Sequence, residues 1–126
     1  MGRTYYNRVN KRKLGSAEES VAVSFLENAG YEIIERNFRC RQGEIDIIAA
    51  DGDILCFIEV KFRSNDYAGN PGEAIDYRKQ QTIYKVAEYY LYKKGLSSEM
   101  PCRFDAVVIV GDNVELIKDA FGGLSS

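Results

Sequence analysis

Apolar positions recur along this chain with two different periods, and the switches between them predict the order of elements. Val21, Ala22, Phe25, Leu26 and Ala29 keep the spacing of one helical face. Ser16 with Glu19 three residues on opens that face and Gly30 stops it, which predicts a helix over 17–29. Tyr31 to Phe38 reads as a strand, with Ile33 and Ile34 set among charged residues. Residues 44–50 and 54–62 are apolar-rich runs of strand length, and Asp51-Gly52-Asp53 between them is a hairpin signal, so the two are expected to pair antiparallel. Residues 64–72, rich in Gly, Asn, Ser and Pro, read as a mobile loop that leaves the second of these strands and could close over a substrate. Ile83, Val86, Ala87, Tyr90 and Leu91 predict a long helix over 73–95 ended by Gly95, with its tyrosines packing rather than stacking on a ligand. Cys102 to Val110 is a strongly apolar strand, Gly111-Asp112-Asn113 a turn, and Val114 to Ile117 a closing strand. The order is helix, three strands, helix, two strands, which implies an α/β fold with a mixed sheet flanked by helices.

The hairpin carries the chemistry. If Gly52 and Asp53 form a two-residue loop, Asp51 lies opposite Ile54 and Asp46 opposite Glu59. If Asp51 and Gly52 form it, Asp46 faces Phe57 and Glu59 becomes its diagonal neighbour. Both registers gather the two carboxylates on one face, with Lys61 two residues along, whereas a three-residue loop would break the parity. Like charges facing each other in a sheet cost roughly 0.2 to 1 kcal/mol, so something must offset them. A hard divalent cation, Mg²⁺ or Mn²⁺, suits carboxylate oxygens. An exposed face with a weak Glu59–Lys61 ion pair and a solvated Asp46 is the competing reading, and the hairpin alone leaves both open.

Composition narrows the chemistry further. The chain has 126 residues, 45% of them hydrophobic, enough for a single domain over 15–121 between a basic arm at 1–14 and a short tail at 122–126. No apolar run approaches the roughly 18 residues of a membrane span, and no signal peptide is evident, so a cytoplasmic protein without a membrane partner is expected. Cys40, Cys56 and Cys102 lack paired spacing and read as buried small hydrophobes rather than a disulfide framework or zinc ribbon. There is no histidine, which excludes Ser-His-Asp, Cys-His and imidazole-base catalysis and leaves carboxylate, lysine and metal. A Walker-type phosphate loop is also absent. Net charge is −2, but residues 1–14 hold five of the 17 bases and no acid, so the remaining 12 bases face 19 acids, or −7. The arm could track a phosphate backbone, with Tyr5 and Tyr6 available to stack, or be a solvated tail. Arg36, Arg39 and Arg41 form a second basic cluster, facing either phosphate or solvent.

Gly15 with Glu19 and Ala22, Gly30-Tyr31, Arg36-Asn37, GEIDII at 43–48, FIEVKFR at 57–63, Lys79-Gln80, CRFD at 102–105 and IKDAF at 117–121 closely resemble the bacterial YraN-like family across nearly the whole domain. That family is similar in turn to the PD-(D/E)XK, or restriction-endonuclease-like, nucleases and to archaeal Holliday-junction resolvases. The resemblance implies an αβββαβ core and a Mg²⁺- or Mn²⁺-dependent phosphodiesterase site. Asp46 stands for the first acid, Glu59-Val60-Lys61 for the acid-x-lysine motif, and Glu19 for the helix glutamate of resolvase-like members. It implies a metal held by Asp46, Glu59 and the Val60 carbonyl, with Lys61 orienting the nucleophile and Glu19 at a second ion or a water. Glu19 is equally explained as the third residue of a capping box. Glu18, nearer the middle of the apolar stripe, stands where the family usually has glycine. Arg39, Arg41, Arg63, Lys79 and Gln80 are candidate nucleic-acid contacts, while Arg103 and Asp105 read as a structural ion pair. The expected activity is a metal-dependent endonuclease acting on DNA, branched DNA included, as a homodimer because two strands need two sites. A non-catalytic nucleic-acid-binding module working within a larger complex is the alternative, and a protein-interaction domain is a third.

Overall fold

Gly52 sits at φ +61, a left-handed conformation that glycine adopts at no steric cost, and the chain reverses there so that Asp51 pairs with Ile54. This is the first of the two expected registers. In the computed structural model residues 17–63 and 75–122 are described. The basic arm with Tyr5 and Tyr6, Ser16 of the capping box, the loop at 64–72 and the end of the tail lie outside the described residues. Within them, α1 covers 17–28, followed by β1 (Glu32–Cys40), β2 (Gly43–Asp51), β3 (Ile54–Arg63), α2 (Tyr77–Lys93), β4 (Cys102–Val110) and β5 (Asn113–Ile117). The strands form one sheet in the order β1-β2-β3-β4-β5, antiparallel throughout except for β3 and β4, which run parallel with α2 in the connection between them. The expected mixed sheet flanked by helices is therefore present.

Each face of the sheet buries one helix. Ala22 and Leu26 of α1 pack on Ile47, Ala49, Ile58, Val107 and Ile109. Ile83, Tyr84, Val86, Ala87 and Tyr90 of α2 pack on the opposite face against Ile45, Ile48, Phe57, Phe104 and Val108. Rings make much of that second contact. Tyr90 meets Phe38 edge-on at 5.0 Å between centroids and Tyr84 meets Phe104 edge-on at 4.8 Å, geometry that places ring edges on ring faces. Of the helical tyrosines Tyr84 and Tyr90 pack in the core, Tyr84 beyond the expected set, while Leu91 is only half-buried at its margin.

The start of α2 differs from expectation. Ile75 and Asp76 are not helical, and α2 starts at Tyr77, because the Asp76 side chain accepts from Lys79 N at 2.8 Å and caps the helix there. Periodicity shows where a helix is buried, not where it is capped. Of the cysteines only Cys56 is fully buried, while Cys40 and Cys102 lie half-buried at the margin of the core, and all three are free. No helix among the described residues is long and apolar enough to cross a membrane.

The expected Arg103–Asp105 pair is present and belongs to a larger network on the α1 face. Asp105 is fully buried and accepts from Arg103 Nε at 2.8 Å, Arg103 Nη2 at 2.9 Å, the Tyr31 hydroxyl at 2.8 Å and Asp119 N at 2.9 Å. Arg103 also donates to Asp51 Oδ2 at 2.7 Å, tying the hairpin turn to β4. Burial pushes the Asp105 carboxyl up, but the guanidinium, the Asp119 N–H and the Tyr31 hydroxyl outweigh it and hold the group below its ordinary value.

Gly43 sets how closely α2 approaches. A Cβ there would stand 2.6 Å from Thr82 Cγ2, and the residue has φ +150, outside the range that other side chains readily adopt. Gly43→Ala is expected to lower unfolding stability by about 1–3 kcal/mol in denaturant titration. Adding Thr82→Ser, which removes the clashing methyl but not the backbone strain, should restore part of that loss. Arg103→Ala should cost more, about 3–5 kcal/mol, since it leaves a buried carboxylate without its cation.

Candidate functional site

The β2–β3 ladder stops one step before the acids. Ile47 pairs with Ile58, and the same register continued places Asp46 opposite Glu59. There the backbone bond gives way to a side-chain one, with Val60 N donating to Asp46 Oδ2 at 2.8 Å. This bond draws the Asp46 carboxylate over β3, and strand alternation puts Glu59 with Leu55 and Phe57 on the α2 face.

Glu59 is only 4% exposed. Two amines converge on its Oε2, Lys79 Nζ at 3.6 Å and Lys61 Nζ at 4.0 Å, while the buried Oε1 has no hydrogen-bond partner among the described residues. Burial, then the charge of Asp46 and a hydrogen bond with it, push the Glu59 carboxyl up to about 8, against the opposing pull of Lys79 and Lys61. The two lysines thus fail to compensate the site. An unpaired buried carboxylate oxygen is costly, so a ligand that satisfies it gains what the free protein loses. Asp46, Glu59 and the Val60 carbonyl together offer hard oxygen donors, and the orphaned Oε1 fits such a set to a hard divalent cation.

The other sequence candidates are distributed around this pair. Glu19 Oε1 accepts from Asn37 Nδ2 at 3.0 Å and lies 3.9 Å from Arg36 Nη2. Asn37 sits between the pairs Arg36–Ile47 and Phe38–Ile45, and so opposite Asp46 on β1, at φ +54. Among the described residues no group of three or more acidic, Cys or His side chains is gathered tightly enough to hold a metal, so Glu19 does not join Asp46 and Glu59 there. Glu18 borders a separate groove with Val21, Phe62 and Val114. Arg39 Nε donates to Glu44 Oε2 at 3.3 Å, Arg41 is exposed and Arg63 is half-buried. Gln80 Nε2 donates to the Ile75 carbonyl at 2.9 Å, which ties the lead-in of α2 to its first turn. Sequence reasoning missed the Asn37 link and the placement of Lys79 against Glu59. The nearest signal was Gly43, whose missing side chain admits Thr82, one turn beyond Lys79.

The raised Glu59 carboxyl has a signed consequence for stability. Between its ordinary 4.5 and about 8 the unfolded chain has released this proton while the folded chain keeps it. The contribution to stability is full below 4.5 and is lost as pH rises to about 8. Glu59→Gln, neutral throughout, should flatten that slope and melt higher than wild type at pH 9 in chelator, by roughly 4 °C for each kcal/mol relieved. Parallel melting profiles of the two proteins from pH 4 to 9 would contradict the assignment.

Comparison with known proteins bears on the same residues. A family model described as "Uncharacterised protein family UPF0102" matches residues 18–109, a span that includes Glu19, Asp46, Glu59, Lys61 and Lys79. A UPF0102 protein of Lachnoclostridium phytofermentans is 45% identical over 118 residues, 94% of this chain and 100% of the relative. A UPF0102 protein of Clostridium botulinum strain Okra is 46% identical over 116 residues, 87% of this chain and 94% of the relative. The match runs through both helices and the strands that carry the acid pair, and on that ground the chain belongs to the UPF0102 family, the YraN-like family whose motifs it shares.

Proposed function

We propose that this protein is a metal-dependent endonuclease of the PD-(D/E)XK superfamily, related to the archaeal Holliday-junction resolvases and hydrolysing phosphodiester bonds in DNA, with branched and junction DNA the first substrates to try. The observation that supports the reading is the buried, unpartnered Glu59 Oε1 beside Asp46, with Lys61 at the same carboxylate. Asp46, Glu59 and the Val60 carbonyl would hold Mg²⁺ or Mn²⁺. When bound, such an ion supplies Lewis-acid polarisation of the scissile phosphate and lowers the pKa of the attacking water.

The chain's own residues do the rest. Asp46 is held in place by the Val60 N–H before any ligand arrives, so its oxygen needs no reorganisation on binding. Lys61, beside Glu59 and partly open to solvent, donates to the attacking water and to the phosphate oxygen on which charge develops. Without histidine, a proton from that water passes to solvent or to substrate oxygen rather than to an imidazole. Cutting two strands of a junction needs two sites, so the reading carries a homodimer with it, and a DNA substrate carries a cytoplasmic location.

One observation favours a second reading. Glu19 is engaged by Asn37 and Arg36 rather than by the acid pair, as suits a nucleic-acid-binding module that keeps the scaffold without catalysis and acts within a larger complex. A cleavage panel of single-stranded, duplex, flap and junction DNA with Mg²⁺, Mn²⁺ or chelator separates the two. Metal-dependent cutting that falls by about 100-fold or more in Asp46→Asn and Lys61→Ala, with folding intact by circular dichroism, is the expected result. Cutting that persists unchanged in either variant refutes the assignment, and binding without cutting that survives chelator supports the module. Full activity in Glu19→Gln, which keeps an acceptor for Asn37 but loses the charge, would make that glutamate structural.

A further inference from the structure

Lys79 has a fixed backbone and a side chain with two places to go. Its N–H is held by Asp76 Oδ1 at 2.8 Å, and Thr82, one turn on, faces the site of the Cβ that Gly43 lacks, so the position of α2 over β2 is set. Its ammonium stops 3.6 Å from Glu59 Oε2, beyond the range of a good hydrogen bond. Charge alone holds it there, in competition with Lys61 for the same oxygen. The side chain is 35% exposed and also lines an open cleft of about 490 Å³ between the β1–β2 turn and α2, shared with Arg39, Gly43, Glu44 and Thr82. A four-carbon stem ending in a mobile point charge can serve either place.

Charge balance decides between them. Two ammonium groups, Lys61 and Lys79, converge on the Asp46–Glu59 pair from the Glu59 side. A dication at the carboxylates cancels their charge and with it the attraction that keeps Lys79 at Glu59. The cleft beside it then receives the displaced ammonium near Arg39, whose guanidinium Glu44 already engages at 3.3 Å, so that Lys79 brings the cleft the net positive charge that suits a nucleic-acid phosphate.

We infer that Lys79 is a displaceable cation that rests against the Asp46–Glu59 pair in the metal-free protein and, once a divalent ion takes its place, seats a phosphodiester backbone in the cleft between the β1–β2 turn and α2. The inference rests on the metal-site reading above. It makes Lys79 a sequence-independent substrate contact whose availability depends on metal, so that substrate is gripped firmly only by protein already loaded for chemistry. It also sets the ammonium and the metal in competition, which a purely structural lysine would not do.

Calorimetric titration with Mn²⁺ of wild type, Lys79→Gln and Asp46→Asn tests the first half. Lys79→Gln should bind Mn²⁺ about 3- to 10-fold more tightly than wild type, because its competitor is gone, and Asp46→Asn should bind little or none. Fluorescence anisotropy of a labelled duplex over a range of salt, in Ca²⁺ and in chelator, tests the second half. With Ca²⁺ the Lys79→Gln variant should bind more weakly than wild type, with a salt slope lower by about one, and in chelator the two should match. Unchanged or weaker Mn²⁺ binding in Lys79→Gln, while Asp46→Asn abolishes it, overturns the inference and leaves the metal site standing. An equal loss of DNA binding with and without Ca²⁺ overturns it too. Wild-type protein that takes up no Mn²⁺ removes the metal site and this inference together.

Discussion

The structure turns on one hydrogen bond, from the Val60 N–H to Asp46 Oδ2, at the point where β2 and β3 cease to pair through their backbones. Up to Ile47 and Ile58 the sheet satisfies itself. Beyond them a side chain supplies the acceptor that the next backbone carbonyl would have offered, and a carboxylate is thereby carried against Glu59. Strand alternation already sets Asp46 and Glu59 on one face, and this bond fixes the Asp46 carboxylate there.

Two buried carboxylates in the same chain show opposite solutions to that problem. Asp105 meets four donors, two of them from one guanidinium, and its carboxyl is held low despite complete burial. Glu59 meets two distant amines and another acid, keeps one oxygen without a partner, and is pushed up. Burial is common to both, so the difference lies in the partners. With Arg103, Asp105 joins β4, the hairpin turn and Tyr31, which lies between α1 and β1, into one unit, as a structural group does. Glu59 is left incomplete, as a group awaiting a ligand is.

Gly43 links the fold to that site. Its missing side chain lets α2 come down on the start of β2, and this close approach brings Lys79 within reach of Glu59. The rings of Tyr84 and Tyr90 hold the same helix further along, so its position is fixed at both ends by packing rather than by the charges it delivers. The helix thus brings Lys79 to the acid pair, where an ion pair at 3.6 Å holds it.

Much of this was legible in the chain because it depends on local periodicity. Element order, a two-residue turn within Asp51-Gly52-Asp53, and the parity that sets Asp46 beside Glu59 follow from a period of two and a glycine that tolerates positive φ, while the structure chose Gly52 and Asp53 as the turn. The family motifs lie on those same elements. What no local pattern holds is contact between segments distant in sequence. That Lys79 of α2 meets Glu59 of β3, that Asn37 rather than the acid pair takes Glu19, and that Asp76 caps α2 at Tyr77 were decided by the packing of helices on the sheet. The amino-acid sequence by itself determined which charges share a face, because strand alternation is a property of the backbone. Only the tertiary structure decided which of them are compensated, because burial and partners are set by what packs above.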